Sequence, residues 1–252
     1  MKLAFVNSGS PAADSAQQEL VELYGNNAVE DSDVIVPLGG DGFVLECLHA
    51  YMDLNKLIYG MNRGTIGFLL NEYSAADLPA RISAAQQEVL SPLCMEAKSV
   101  DGKIHNALAF NEVSLLRSSR QSAHLKILVN GKTELDKLIC DGALVSTPAG
   151  STAYNLSVHG PVVPLGAQLI ALTSISAFRP RRWRGALLPH DAVVTIENLD
   201  PDKRPVSASA DQTEVENVVS LTVEQVQDRS VTMLFDEGHS LNERILREQF
   251  AI

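Results

Sequence analysis

The chain has 252 residues, of which 45% are hydrophobic and 20% charged, proportions typical of a globular chain that buries a sizeable core. Its formal net charge of −11 argues against binding nucleic acid or a membrane surface through a basic face. No apolar run is long enough to span a membrane, and the first residues lack a signal peptide's long apolar region, so we expect neither membrane nor nucleic-acid partners.

The three cysteines, Cys47, Cys94 and Cys140, are odd in number and widely spaced. This spacing is typical of neither a disulfide framework nor a zinc site. We therefore predict reduced thiols in or near the core of a cytoplasmic protein.

The first third of the chain alternates strands and helices. Apolar patterns predict strands over residues 2–7, 34–38 and 56–61, and helices over 14–24, 43–51 and within 74–85. This alternation predicts a parallel sheet flanked by helices, that is, an α/β N-terminal domain.

After residue 92 the pattern becomes mostly β. Asp101-Gly102 and Asn130-Gly131 are hairpin turn signals. We predict strands over residues 95–100, 104–116, 124–129, 132–145, 169–174, 192–197, 206–210, 218–226 and 231–235, and a final helix that begins at Ser240 and covers 241–250. These strands predict two packed sheets.

A glycine turn, Gly39-Gly40-Asp41-Gly42, joins the buried strand 34–38 to the next helix. Ligands of open α/β sheets bind at the carboxyl ends of strands, and glycines permit positive φ and close approach to the backbone. Because an acid repels phosphate, Asp41 at this corner is predicted to act as a proton acceptor or a metal partner. The alternative is a tight turn in which Asp41 only caps the helix.

Residues 146–157 contain six hydroxylic side chains, and we expect a short helix to begin there at Ser151 or Thr152. Backbone N–H groups and hydroxyls at a helix start suit base edges, ribose or phosphate. The alternative is a capping loop rich in serine and threonine, but six hydroxyls exceed what capping requires.

Asn111 and Glu112 interrupt an apolar strand. Asn111 can offer a donor and an acceptor to an adenine edge, and Glu112 can accept from two ribose hydroxyls. On this pair alone, an ordinary solvent-facing position on a strand is the favoured interpretation.

Together, residues 39–42, the Asn111-Glu112 pair and residues 147–154, in this order and at these separations, resemble the NAD kinase family. The glycine turn by itself also resembles phosphofructokinases and diacylglycerol or sphingosine kinases. The resemblance implies transfer of a phosphoryl group from ATP or inorganic polyphosphate to the 2′-hydroxyl of the adenosine ribose of NAD, giving NADP. It also implies a divalent cation, usually Mg²⁺, and a homodimer or homotetramer.

The same resemblance implies a domain plan and a set of site residues. The plan is an α/β domain over residues 1–91, a β-rich NAD-binding and oligomerisation domain over 92–230, and a segment over 231–252 that returns to the first domain. Asp41 would be the base. The NAD-binding residues would be Gly42, Phe68 (in the Gly-x-x-Gly-Phe stretch 64–68), Asn111, Glu112, Asp141, Thr152, Ala153, Tyr154 and Ser157. The phosphate loop would comprise Gly39, Gly40 and Gly42, with weaker matches at Asp211 and Arg184; no metal ligand is assigned.

Two alternative functions and two interpretations of the arginine-rich segment stay open at this point. The chain could be another kinase of the same superfamily that acts on a lipid or sugar hydroxyl, or a non-catalytic dinucleotide sensor. The arginine-rich segment 178–185 could receive phosphates across a subunit interface, or it could be a solvated loop with Trp183 half buried.

Overall fold

The structure, a computed structural model, describes residues 1–64, 67–181, 183–238, 241–248 and 250. The chain divides into two units, one formed by Met1–Leu90 with Asp228–Ile252 and the other by Ser91–Gln227. Among the described residues, no helix combines the length and the hydropathy needed to cross a bilayer.

The strands within the described residues, in chain order, are β1 Leu3–Asn7, β2 Val34–Gly39, β3 Leu57–Ile58, β4 Met61–Asn62, β5 Gln86–Leu90, β6 Leu93–Ser99, β7 Ile104–Ala109, β8 Glu112–Arg117, β9 Ala123–Val129, β10 Lys132–Cys140, β11 Gly142–Ser146, β12 Leu169–Ile175, β13 Gly185–Pro189, β14 Val194–Asn198, β15 Val206–Ala210, β16 Thr213–Val215, β17 Val218–Gln225 and β18 Val231–Phe235. The α-helices are α1 Pro11–Tyr24, α2 Asp41–Tyr51, α3 Leu78–Ala84, α4 Tyr154–Ser157 and α5 Leu241–Glu248. Short 3₁₀ turns cover Val29–Asp31, Met52–Leu54, Ala149–Thr152 and Leu165–Ala167.

The first unit contains a sheet in the order β1-β2-β3-β18-β5, with β4 also paired to β2. These pairs are parallel except for β5, which runs antiparallel to β18. All six residues of β2 are buried, as expected for a central strand covered on both faces. Helix α1 packs Ala13, Ala16 and Leu20 into the same apolar cluster as β1 and β2. The predicted α/β architecture is confirmed.

The second unit contains two antiparallel sheets, in the orders β10-β9-β14-β17-β6-β7 and β13-β12-β11-β8-β15-β16. Strands of both sheets contribute side chains to one buried apolar cluster, so the sheets pack face to face. The predicted β-rich half with packed sheets is confirmed. At the predicted Asn130-Gly131 turn both residues have positive φ, 50° and 76°, as a tight hairpin requires.

Two predicted strands are wrong, because each is divided between the two sheets. Residues 104–116 form β7 in one sheet and β8 in the other, and residues 132–145 form β10 and β11 in the same manner. The chain crosses between sheets at Phe110-Asn111 and at Asp141. Ser240, the predicted start of the last helix, lies outside the described residues.

Candidate active site

The first residue of α2, separated from the end of β2 only by Gly40, carries the carboxylate of Asp41. Its two oxygens accept backbone N–H groups from another segment, Oδ2 from Phe68 at 2.7 Å and Oδ1 from Leu69 at 2.8 Å. The N-cap position of α2 belongs to Gly40, which has no side chain to cap the helix. The hypothesis that Asp41 only caps its own helix is therefore wrong. Each carboxylate oxygen keeps a further lone pair for a ligand.

The glycines of this turn are important for the room that they leave around the backbone, not for unusual dihedral angles. Among the described glycines, positive φ occurs elsewhere, not at Gly39, Gly40 or Gly42. A Cβ at Gly39 would lie 2.9 Å from Cδ1 of Phe43, so packing requires glycine there. A Cβ at Gly40 or Gly42 would meet nothing within 4 Å. The turn therefore presents open backbone beside Asp41.

The loop that holds Asp41 runs from β4 to Leu70. Gly64 and Gly67 are described, whereas Thr65 and Ile66, inside the predicted Gly-x-x-Gly-Phe stretch, lie outside the described residues. A Cβ at Gly64 would lie 3.2 Å from Cα of Gly40, so this loop and the glycine turn approach closely. Phe68 is partly exposed.

In the second unit, Asp211 fixes the backbone where the chain leaves β7. Its Oδ2 accepts the N–H of Phe110 at 2.7 Å and its Oδ1 accepts the N–H of Asn111 at 3.1 Å. Asp211 itself has φ of +45°, in the left-handed region, where aspartate is tolerated better than most residues. This carboxylate positions Asn111 and Glu112, and its predicted phosphate role stays a prediction.

Glu112 has a partly satisfied and largely buried carboxylate. It accepts a hydrogen bond from the backbone N–H of Tyr154, whereas its Oε2 is buried and has no hydrogen-bond partner among the described residues. Burial first, and then the negative charge of Asp211, raise the pKa of Glu112 to about 7. A buried acceptor without a partner is energetically costly, and a ligand hydroxyl at Oε2 would remove that cost.

The hydroxyl-rich segment divides into two sets. Ser146, Thr147 and Ser151 are buried, and they donate to the backbone carbonyls of residues 147, 110 and 148 at 2.9, 2.7 and 2.7 Å. These three hydroxyls build the loop. The predicted ligand residues of the segment, in contrast, are partly or fully exposed: Thr152, Ala153, Tyr154 and Ser157. Half of the six hydroxyls therefore serve loop construction. The predicted short helix is a 3₁₀ turn followed by α4.

The Tyr154 phenol lies near two carboxylates, those of Glu112 and Asp141. Burial raises the pKa of the Tyr154 phenol, and the charges of Glu112 and Asp141 raise it further, so both carboxylates lie within electrostatic range of the phenol. Asp141 is also paired with Arg117, whose Nε lies 2.6 Å from its Oδ1. The crossing points at Asn111 and Asp141 thus both carry predicted NAD-binding residues.

Arg184 is exposed and lines a shallow cavity of about 360 Å³ beside His159 and Pro161. Trp183, its neighbour, is partly buried, and its carbonyl accepts the hydroxyl of Ser174 at 2.7 Å. Arg182, in the same cluster, lies outside the described residues. The proposed contact of Arg184 with phosphate stays a prediction.

The comparisons with known proteins agree on one family. Residues 110–235 match the family described as ATP-NAD kinase C-terminal domain. A NAD kinase of Hyphomonas neptunium is 55% identical over 251 residues, covering 100% of this chain and 98% of the relative. A NAD kinase of Brucella suis is 54% identical over 250 residues, covering 99% of this chain and 97% of the relative.

The chain belongs to the NAD kinase family. It is therefore a phosphotransferase. The family match at 110–235 includes Asn111, Glu112, Tyr154 and Asp211, while the turn at Asp41 is covered by the full-length NAD kinase relatives.

Solved structures of an NADH kinase and of an NAD kinase share the fold at low sequence identity. A yeast NADH kinase complexed with NADH superposes with a TM-score of 0.81 at 20% identity, covering 99% of this chain and 87% of the other. A NAD kinase from Archaeoglobus fulgidus in complex with ATP gives a TM-score of 0.77 at 22% identity, with complete coverage of both chains.

Two residues that support the site, Arg117 and Asn155, were not predicted from the sequence. Arg117 pairs with Asp141, and Asn155 donates to the carbonyls of Ser151 and Pro161 while accepting the hydroxyl of Thr173. The sequence does place Asn155 next to the predicted ligands, but its complete burial appears only in the fold.

Proposed function

We propose that the chain phosphorylates NAD on the 2′-hydroxyl of its adenosine ribose to give NADP, with Asp41 as the general base. ATP or inorganic polyphosphate would donate the phosphoryl group. The observation that carries this proposal is the Asp41 carboxylate, which two backbone N–H groups fix at the carboxyl end of a central parallel strand. Full-length identity of 54–55% to NAD kinases supports NAD as the acceptor.

The reaction requires a proton acceptor and an aligned hydroxyl more than covalent chemistry by the protein. As the ribose oxygen bonds to the terminal phosphorus, its proton passes to Asp41. The bond from phosphorus to the bridging oxygen breaks, and ADP or a shortened polyphosphate leaves. Open space at Gly40 and Gly42 leaves room for the phosphates near this carboxylate.

We propose a divalent cation, Mg²⁺, as the cofactor. It would neutralise the phosphate charge that develops during transfer. Within the described residues, no group of three His, Cys, Asp or Glu side chains could hold a metal ion. Mg²⁺ is usually bound through substrate phosphates and one or two carboxylates. We therefore propose that the cation binds together with the phosphoryl donor.

Glu112, Asn111 and Tyr154 would bind the adenosine part of NAD, and the unpartnered Oε2 of Glu112 would accept a ribose hydroxyl. Thr152, Ala153 and Ser157 would line the same surface, Asp141 would lie near the nicotinamide half, and Phe68 would pack on the dinucleotide.

A cytoplasmic homodimer or homotetramer is also proposed. Cys47, Cys94 and Cys140 are all free, which suits a reducing compartment. Burial raises the pKa of Cys47 and of Cys140 to about 12, so both thiols stay protonated and unreactive near neutral pH.

The deciding experiment incubates purified protein with NAD, Mg²⁺ and either ATP or polyphosphate, and measures NADP with an NADP-specific dehydrogenase. Asp41→Asn should lower kcat by roughly 10²- to 10⁴-fold, the usual contribution of a general base, with little change in the Kd for NAD. Glu46→Gln, on the exposed face of the same helix, is the matched control. A fully active Asp41→Asn would refute the base, and phosphorylation of a lipid or sugar instead of NAD would refute the substrate.

A further inference from the structure

The side chain of Arg244, on α5, holds the loop that binds Asp41. Its Nη1 donates to the carbonyl of Gly67 at 2.7 Å and to the carbonyl of Phe68 at 3.0 Å. Arg244 is 177 residues beyond Gly67 in sequence, so the last helix reaches back to this loop.

Two successive peptide groups join Arg244 to Asp41. In the first, the carbonyl of Gly67 accepts from Arg244 while the N–H of Phe68 donates to Asp41. In the second, the carbonyl of Phe68 accepts from Arg244 while the N–H of Leu69 donates to Asp41. Each peptide group therefore lies between a cation and an anion, with its carbonyl toward the cation and its N–H toward the anion. Hydrogen bonds in such chains polarise and strengthen one another.

The helix that carries Arg244 is well anchored. Leu241 and Ile245 are buried, at 0% and 1% exposure, and Asn242 donates to the carboxylate of Glu88 at 2.9 Å. The guanidinium carbon of Arg244 also lies 5.7 Å from the centre of the Phe235 ring, at the end of β18. These contacts hold the helix in place and the guanidinium beside the loop.

Burial lowers the pKa of the Arg244 guanidinium, whereas the negative charge of Asp41 acts in the opposite direction. Since arginine titrates far above neutral pH, the side chain stays charged in any working buffer. Its charge therefore acts on the loop at all pH values used for an assay.

We propose that Arg244 is a positioning residue for Asp41, acting through the peptide groups of Gly67, Phe68 and Leu69. This inference rests on the proposed role of Asp41 as the base. Without Arg244, the two carbonyls lose their donor and the loop is free to shift, which moves the carboxylate away from the attacking hydroxyl. Errors of about 1 Å in such a group cost up to roughly 10²-fold in rate.

The test compares Arg244→Ala, Arg244→Lys and Arg247→Gln in the full-length protein. Arg247 lies on the same helix, and its Nη2 donates only at 3.4 Å to the carbonyl of Gly238, so it is a matched control. We expect Arg244→Ala to lower kcat by roughly 10- to 100-fold while KM for NAD changes less than about threefold. Arg244→Lys should be intermediate, and Arg247→Gln should stay within about twofold of the parent.

Two further measurements separate positioning from general loss of structure. Free guanidinium at millimolar concentration should raise the kcat of Arg244→Ala but not that of the parent or of Arg247→Gln. Hydrogen exchange of the peptide that contains residues 67–70 should be faster in Arg244→Ala, with the rest of the first unit unchanged. If Arg244→Ala fails to fold, the same exchange and kcat measurements on Arg244→Lys decide the question.

The outcomes for Arg244 and for Asp41 are distinguishable. Unchanged kcat and unchanged exchange in the Arg244 variants, beside an inactive Asp41→Asn, overturn the positioning role alone. A fully active Asp41→Asn refutes the role of Asp41 as the base. The positioning role of Arg244 then loses its catalytic consequence, even if hydrogen exchange shows that Arg244 orders the loop. Slow kcat without guanidinium rescue and without faster exchange at 67–70 also counts against the positioning role.

Discussion

Asp211 raises the pKa of Glu112 and at the same time holds the backbone from which Glu112 projects. The carboxylate of Asp211 accepts the N–H groups of Phe110 and Asn111, and its own N–H donates to the carbonyl of Glu112 at 3.4 Å. Two acids are thus placed side by side, one satisfied by backbone donors and one with a buried oxygen that has no partner among the described residues. Such a pair is costly in the free protein and suits a ligand that brings hydroxyl donors.

Binding of NAD should become tighter as pH rises through about 7. Glu112 has a pKa of about 7, so it is protonated below that pH and ionised above it. An ionised carboxylate accepts a ribose hydroxyl more strongly than a neutral acid does. We expect the Kd for NAD, measured by isothermal titration calorimetry, to be roughly three- to tenfold lower at pH 8 than at pH 6.

Glu112→Gln is the control for this pH dependence, because it keeps the shape and removes the titrating group. The Kd of this variant for NAD should be higher than that of the parent at pH 8, and it should be nearly constant between pH 6 and pH 8. A parent protein whose Kd does not change over that interval would contradict the assignment.

Asp211→Asn should move the midpoint of this pH dependence to lower pH. The substitution removes the negative charge of Asp211, the second cause of the raised pKa, while burial, the larger cause, remains. The midpoint should therefore fall below 7 without reaching the ordinary glutamate value of 4.5. The measurement is the Kd for NAD from pH 5 to pH 8. Glu214 is an exposed acid on the neighbouring strand β16, so Glu214→Gln should leave the midpoint unchanged. An unchanged midpoint in Asp211→Asn would show that the charges of Asp211 and Glu112 are not coupled.

Glu112→Gln should also stabilise the protein without ligand at pH 8. The folded-state pKa of Glu112 is raised from 4.5 to about 7, so its stabilising contribution is complete below pH 4.5 and is lost as pH rises through 7. Allowing for partial exposure, ionisation of Glu112 lowers the free energy of unfolding of the parent by about 1–2 kcal/mol. Because the glutamine variant lacks this charge, its Tm at pH 8 should be roughly 3–6 °C higher than that of the parent. Thermal unfolding at pH 8 and pH 5 checks this. An equal change in Tm at both pH values would mean that packing, not charge, is responsible.

The sequence predicted the elements that depend on local pattern. The alternation of strands and helices in the first third, and the series of strands with hairpin turn signals after residue 92, were enough to predict an α/β half and a half of packed sheets. The crossings at Asn111 and Asp141 were missed because both strands of each pair feed the same apolar core, so hydrophobic alternation continues across the break. The signal that could have revealed them is the polar interruption at each crossing, Asn111-Glu112 at the first and Asp141 at the second.

The parts of the site that could not be predicted depend on contacts distant in sequence. The resemblance to NAD kinases identified Asp41 and Glu112, but it did not identify the residues that hold them. Leu69 and Arg244 lie 28 and 203 positions beyond Asp41 in the sequence, and Asp211 lies 99 positions beyond Glu112. The sequence left open whether the glycine turn serves positive φ or close approach to the backbone, and the structure shows that Gly39 leaves space next to Phe43. Space around a backbone atom depends on the packed neighbours, which no local pattern specifies.

Gly150→Ala should disrupt the join between the hydroxyl-rich segment and the crossing at Asn111. A Cβ at Gly150 would lie 2.1 Å from the carbonyl oxygen of Asn111, and backbone at such a distance has to move. Overpacking of this kind costs about 1–3 kcal/mol, so Tm should fall by several degrees, and the Kd for NAD should rise because Asn111 and Glu112 shift with the loop. Gly166→Ala, where a Cβ would meet nothing within 4 Å, is the control and should change neither quantity. Differential scanning calorimetry measures Tm, and titration with NAD measures Kd. A Gly150→Ala protein as stable as Gly166→Ala would contradict the close packing of Gly150 against the backbone of Asn111.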